Sequence, residues 1–224
     1  SSLYYYDWVE GNIAKVNAAS NGEIGYLHIP DMGVNGLNQF AKYFYPQINK
    51  KALIIDDRGN GGGNVSPMII ERLRREVGIA TAWRNGKTAG TVPAQTIMGP
   101  KVCLINQYSA SDGDLFPYQF RYYGIGQLIG QRTWGGVVGI RGSLPILDGG
   151  FLNKPEFAHT SADGSEFIIE GRGVEPDIEV INDPHDEFMG IDRQLEKAIE
   201  VIKSEMRKGS YKYPGIPPYP NKSK

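Results

Sequence analysis

The sequence predicts an α/β fold of βαβ units around a largely parallel sheet. Short apolar runs, "EIGYLHI" at 23–29, "ALIIDDR" at 52–58, "KVCLINQ" at 101–107 and "GQLIGQ" at 126–131, read as strands. Segments with helical apolar spacing separate them, so the strands run parallel and the crossovers cover both faces. Two strands leave through special junctions, "DDRGNGGGN" at 56–64 and "NQYSASDGDLF" at 106–116, directly into helices.

From 3 to 19, Val9, Ile13 and Val16 recur at i, i+4 and i+7 with Trp8 beside them, which predicts a helix. In the first strand Ile24, Tyr26 and His28 share one face, Leu27 and Ile29 share the other, and Pro30 ends it. "GLNQFAKYFYPQI" predicts a helix stopped near Pro46. The buried strand at 52–58 opens into a glycine loop, and a helix follows over 66–76 with Met68, Ile69 and Leu73 on its apolar face and Pro67 in its first turn. The strand at 101–107, a helix over 111–123 and the strand at 126–131 repeat the unit. After Gly135, "GGVVGIRGSLPILDGGFL" and "SEFIIEGRGVEPDIEV" read as short strands and turns, an antiparallel ribbon or second small sheet. Leu195, Ile199, Ile202 and Met206 mark a terminal helix. One domain over 1–210 and a Pro-rich tail over 211–224 is the economical organisation.

The 224 residues are 40% hydrophobic and 22% charged, ordinary for a folded chain with a sizeable core. Lys and Arg number 24 against 25 Asp and Glu, and the net charge of -1 gives no reason to expect nucleic acid or an acidic membrane as partner. No apolar stretch approaches the roughly 18 residues of a membrane span, and the N-terminus lacks a basic-then-apolar leader. The lone Cys103 lies in an apolar strand and cannot form an internal disulfide, which leaves cytoplasm and periplasm both open. No initiator Met heads "SSLYYYDWVEG", so a piece of a longer protein or a processed product is expected. No Cys/His cluster has metal-binding spacing.

Ser111-Asp112-Gly113-Asp114 fits the capping box, in which a serine side chain closes a free N–H at a helix start. The same serine could be a nucleophile, because N–H groups and the dipole at a helix N-terminus favour developing negative charge. Spacing alone does not separate the two. The glycine triplet 61–63 lets backbone N–H groups approach a ligand, or merely permits a tight turn. It lacks the Gly-Lys-Ser/Thr ending of a P-loop and the G-x-G-x-x-G spacing of a dinucleotide site. Both junctions fall at strand carboxyl ends, where open α/β sheets bind ligands. A glycine N–H from one and the Asp112 N–H from the other could together form an oxyanion hole.

In this order, "GYLHIPDMG", "IIDDRGNGGGNVS", "NQYSASDGDLF", "GQRTWGGVVG" and "IEGRGVEPDIEV" resemble the C-terminal catalytic domain of the tricorn branch of a serine peptidase family, the one that includes the tail-specific and C-terminal processing proteases. The resemblance covers about residues 3 to 205. It implies a crotonase- and ClpP-like core with a smaller strand-rich C-terminal part and a terminal helix. It implies Ser111 as nucleophile, the N–H groups of Asp112 and of Gly62 or Gly63 as oxyanion hole, and Glu170 as the acid that completes a tetrad by supporting the base. Peptide substrates, no metal or organic cofactor, upstream helical, PDZ and propeller domains and a homo-oligomer, a hexamer by analogy with tricorn, are implied with it.

The departures carry expectations too. Tail-specific proteases place a base lysine within Phe-Gly-Lys-Gly; the matching stretch here is "TWGGV" with Gly136 in the lysine's place, which excludes a Ser-Lys dyad. The tricorn branch uses a histidine upstream of every segment matched, so the base is expected from outside this chain, and the chain alone is expected to be inactive. His28 lies on a strand face, and His159 and His185 fall in turn-rich stretches, the usual places of structural or solvated histidines. The aspartate that gives tricorn its preference for basic residues has its counterpart near "GIATAW", where Ala80 and Thr81 carry no carboxylate, so apolar residues are expected before the scissile bond. Two alternatives remain beside the peptidase: a non-catalytic peptide- or ligand-binding module of the same fold, and a crotonase-type acyl-CoA enzyme, against which the lack of a basic or adenine-binding stretch argues.

Overall fold

The computed structural model describes residues 2–209 and 213–221. In chain order the elements are α1 (Ser2–Ser20), β1 (Ile24–His28), α2 (Val34–Phe44) with a 3-10 turn (Tyr45–Gln47), β2 (Ala52–Asp56), α3 (Ser66–Leu73), β3 (Ile79–Thr81), β4 (Gly90–Val92), β5 (Lys101–Ile105), α4 (Asp112–Tyr122), β6 (Gly126–Gly130), β7 (Gly139–Pro145), β8 (Phe151–Phe157), β9 (Ile178–Glu179), α5 (Pro184–Phe188) and α6 (Arg193–Lys208).

Five strands form one parallel sheet in the order β1-β2-β5-β6-β9, with Ile54 of β2 opposite Tyr26 on one side and Val102 on the other. Every residue of β1, β2 and β5 is buried, as sandwiching between helices requires, and this is why they read as apolar runs with little alternation. Helix α6 lies across β2, β5 and β6 beside α1, while α4 packs on β5 and β6 and on α3. Phe116 and Phe120 of α4 and Leu195, Ala198 and Ile202 of α6 are buried between these layers. Each large apolar side chain so placed contributes about 1.5–3 kcal/mol.

The expected antiparallel ribbon is β7 paired with β8. The segment "SEFIIEGRGVEPDIEV" differs from expectation: only Ile178 and Glu179 are strand, and they extend the main sheet, parallel to β6. The cause is local, because Asp177 holds Leu128 through both backbone and carboxylate at 2.8 and 2.7 Å and aligns the two chains. Helix α3 ends at Leu73, and β3 and β4, three residues each and without a buried face, form a small hairpin that no apolar period announces. The expected domain boundary at 210–211 lies outside the described residues. From 213 to 221 the tail has no helix or strand and lies back on the body, Tyr213 Oη donating to the Ile48 carbonyl at 3.2 Å and Tyr219 Oη to that of Trp83 at 2.9 Å.

A buried polar network ties α1, β1, β2 and α6 together at the carboxyl ends of the strands. The Arg58 guanidinium is bidentate to Asp56 (2.9 and 2.6 Å) and to Asp192 (2.9 and 2.8 Å), the residue that caps α6 through the Leu195 N–H. Tyr26 Oη donates to Asp56 at 2.7 Å and accepts from Asn12 at 3.1 Å. Burial alone would raise the Asp192 carboxyl, but the Arg58 charge outweighs it and holds that carboxyl below its usual range.

His28 belongs to the same end. Its Nε2–H donates to the Arg58 carbonyl at 2.9 Å, which leaves Nδ1 to accept from the Tyr5 hydroxyl at 3.0 Å. Burial pushes the imidazole below its ordinary value of 6.5. Below that pH the unfolded chain takes up a proton that the folded chain refuses; above it both states are neutral and the contribution vanishes. Stability is therefore expected to fall as pH drops through 6.5, with a contribution from His28 of up to about 1.4 kcal/mol per pH unit. Urea unfolding between about pH 5 and 7 checks it, since His28→Leu should remove this component of the slope. An unchanged slope would show that His28 is not the group responsible.

Candidate active site

Ser111 stands at the turn from β5 into α4 with φ 57° and ψ -119°, a conformation that non-glycine residues rarely adopt and that clusters at functional sites. Its side chain is exposed and makes no capping bond, so the capping box does not form. Asp114, the other half of that box, is drawn elsewhere: its Oδ1 accepts from the Gly135 N–H at 2.7 Å, and burial pushes its carboxyl up. The N–H of Asp112, at the first position of α4, has no acceptor within the helix. Its carboxylate accepts from the Ser66 N–H at 2.9 Å and from the Ser66 hydroxyl, which fastens the start of α3 to the start of α4.

The glycine loop lies against this turn. A Cβ on Gly62, whose φ is +87°, would sit 2.6 Å from Ser111 Cβ, 2.7 Å from the Ala110 oxygen and 3.1 Å from the Asp112 nitrogen. The Gly62 N–H is held by Asn60 Oδ1 at 2.9 Å, and its carbonyl accepts from Met32 at 2.8 Å. Gly63 passes so close to Met32 that a Cβ would meet that carbonyl oxygen at 2.0 Å. The two junctions are stitched together by Ala110 N–H to the Asn60 oxygen at 2.9 Å, Ser109 Oγ to the Asp57 oxygen at 2.8 Å and Gly59 N–H to Asn106 Oδ1 at 2.9 Å.

Glu170 is exposed on the following segment, its Oε2 accepting from the N–H groups of Val137 and Val138 at 2.7 and 2.9 Å. The stretch 134–138 touches both candidates, because the Gly136 carbonyl also accepts from the Ser111 N–H at 3.1 Å and the Gly135 carbonyl from Gly171 at 2.7 Å. Ser111 and Glu170 are thus both bonded to the stretch 136–138, and Gly62 abuts Ser111 and Asp112 on the other junction. Among the described residues no histidine is hydrogen-bonded to Ser111 or Glu170. His28 is engaged as above, His185 lies on α5, and His159 stacks edge-on with Phe157 at 5.6 Å. Ala80 and Thr81 lie on β3 and are not among the residues lining the cavity that adjoins Asp112. The sequence reading missed Asn60 and Ser66; Ser66-Pro67 before an apolar run carried a helix-start signal, whereas nothing local marks Asn60.

The profile of peptidase family S41 matches residues 23–180. The chain is 42% identical over 216 residues to "Tricorn protease" of Thermoplasma acidophilum, covering 96% of this chain and 20% of the relative. It is 41% identical over 207 residues to "Tricorn protease homolog" of Saccharolobus solfataricus, covering 91% of this chain and 19% of the relative. A crystal structure of tricorn protease superposes with a TM-score of 0.83 at 44% identity over 91% of this chain and 20% of that one. The photosystem II D1 C-terminal processing protease shares the fold at a TM-score of 0.52 and 20% identity, over 76% of this chain and 46% of that one. The chain therefore spans about a fifth of the tricorn relatives it matches.

Proposed function

Because the chain belongs to peptidase family S41, we propose that it supplies the nucleophile and oxyanion hole of a tricorn-like serine peptidase. The observation that carries the reading is the strained, exposed Ser111 held against Gly62 at the mouth of α4. Ser111 Oγ attacks the substrate carbonyl and its proton passes to a histidine from outside these residues. The oxyanion then accepts from the N–H groups of Asp112 and Gly63; between the two glycines Gly63 is the donor, because Asn60 already occupies the Gly62 N–H. Collapse expels the amine, which takes back the proton, and water hydrolyses the Ser111 ester by the same route. Glu170, fixed by two backbone N–H groups, orients the histidine. No step calls for a metal or organic cofactor. The upstream helical, PDZ and propeller domains and a homo-oligomeric state complete the proposal.

A fluorophosphonate should label Ser111 in the protein carrying its upstream chain, and Ser111→Ala should abolish labelling and peptide hydrolysis together. Hydrolysis that survives Ser111→Ala overturns the reading; a protein that binds peptides but neither labels nor cleaves is a binding module instead.

A further inference from the structure

A second cavity, of about 420 Å³, lies at the other end of the sheet from Ser111, where β5 and β6 begin. Its wall joins the loop 74–77 after α3, the segment 97–101 and the turn 123–125 after α4. Arg74 and Tyr123 end the two helices and meet there, the guanidinium 4.5 Å from the ring centre. Lys101 is the buried cation of the wall, only 9% exposed. Its Nζ donates to the Ile97 carbonyl at 2.7 Å and to the Gly99 carbonyl at 3.3 Å. Among the described residues its third N–H has no acceptor and no carboxylate is paired with it. Burial without a counter-charge lowers its ammonium to about 8.

We propose that this cavity binds a small organic carboxylate, whose head takes the spare N–H of Lys101 and whose apolar body lies against Ile97, Met98 and Ile125. The site is separate from the peptidase machinery and stands or falls apart from it. Lys101 is the observation that carries it. Arg74 and Arg75 follow a helix C-terminus, where cations are at home, and need no ligand to explain them. Lys101 instead opens a strand whose every residue is buried, where an apolar side chain would avoid the cost of a buried charge. A ligand that supplies the missing negative charge accounts for it. One spare N–H matches one acceptor oxygen, and one buried charge matches a carboxylate better than a phosphate dianion, whose second charge would enter without a buried partner.

Size and field agree with this ligand class. A volume of about 420 Å³ falls in the range of about 300–1,000 Å³ usual for small-molecule sites. Arg74 and Arg75 outnumber Glu76, the one acid lining the cavity, and with Lys101 they make the wall positive in a chain of net charge -1. Binding is linked to protonation, because only the ammonium form of Lys101 offers the carboxylate a charge. Affinity should therefore be flat from about pH 6 to 8 and fall above it, by up to about tenfold per unit, as the amine loses its proton. The other charged or titratable side chains of the wall are those of Arg74, Arg75, Glu76 and Tyr123, and removing Lys101 alone separates its contribution from theirs.

The test is calorimetric titration of naphthoate, with its neutral isostere naphthamide and with naphthyl phosphate, into the protein carrying its upstream chain. Naphthoate should bind at one site per chain and at least about tenfold more tightly than naphthamide. Lys101→Met should weaken naphthoate at least about tenfold and abolish the loss of affinity above about pH 8. Equal binding of naphthoate and naphthamide overturns the proposal, as does no binding of naphthoate at millimolar concentration or an affinity unchanged in Lys101→Met. Tighter binding of naphthyl phosphate than of naphthoate overturns the carboxylate assignment. Should Lys101→Met fail to fold, acetylation of Lys101 by acetic anhydride in the wild-type protein decides: naphthoate should slow it at least about tenfold, and an undiminished rate places the ligand elsewhere.

Discussion

On its own, the 224-residue chain is expected to hydrolyse peptides only about 10³–10⁴-fold faster than water, the residual that triad proteases keep when a catalytic member is lost. A serine hydroxyl is a weak nucleophile near neutral pH until a neighbouring base takes its proton. None of the three histidines here is hydrogen-bonded to Ser111. His28 spends both ring nitrogens on Tyr5 and Arg58, His185 rides on α5, and His159 sits on the wall of the cavity that adjoins Asp112, stacked against Phe157. Gly136 offers no lysine in their stead. Restoring the upstream chain should raise the rate by a factor on the order of 10⁶, the cost of removing the base in comparable enzymes. The measurement is the rate of fluorophosphonate labelling at Ser111 with and without that chain. Fast labelling of the short chain, lost in His28→Ala or His159→Ala, would place the base inside it and sink the claim.

What the sequence revealed and what it hid divide along a physical line. The strands β1, β2 and β5 were legible because burial on both faces leaves a continuous apolar signature, and α6 because one stripe of it is buried. The two strand-to-helix junctions were legible from Gly61–Gly63 and Ser111. Whether Ser111 capped its helix was not, because that depends on Asp114 being drawn to the Gly135 N–H, a contact between residues 21 apart in the chain. Glu170 presents the same difficulty. On sequence alone it reads equally as a surface strand glutamate, and only the folding of 137–138 beside it supplies the two N–H groups that hold it. The choice between Gly62 and Gly63 likewise waits on Asn60, whose side chain reaches the nearer of them. Elements of two or three residues, β3, β4 and β9, carry too few side chains for a period to show, and the Ile169 turn contradicts its residue's own preference. Local pattern reports burial well, whereas the site is made by contacts between distant segments.

The glycine triplet offers a graded experiment on those contacts. Gly61→Ala is expected to be nearly neutral, since its added Cβ would meet nothing within 4 Å. Gly63→Ala would put a Cβ 2.0 Å from the Met32 carbonyl carbon's oxygen, inside the bridge that anchors the loop, so stability should fall together with activity. Gly62→Ala is the discriminating one. Its Cβ would stand 2.6 Å from Ser111 Cβ and 2.7 Å from the Ala110 oxygen, closer than such atoms approach. The loop cannot retreat, because Asn60 holds the Gly62 N–H and Met32 its carbonyl. Ser111, already in a strained conformation and exposed on one side, is the part that gives way. A displacement of about 1 Å at the nucleophile can cost 10²-fold, so kcat/KM should fall by about that factor or more. The left-handed conformation adds roughly 1–2 kcal/mol of lost stability for a residue with a side chain. Thermal unfolding and kcat/KM measured on all three variants, in the protein with its upstream chain, separate the effects. If Gly62→Ala keeps kcat/KM within about threefold of Gly61→Ala while folded, the glycine does not abut the nucleophile and the oxyanion hole assigned to this loop is wrong.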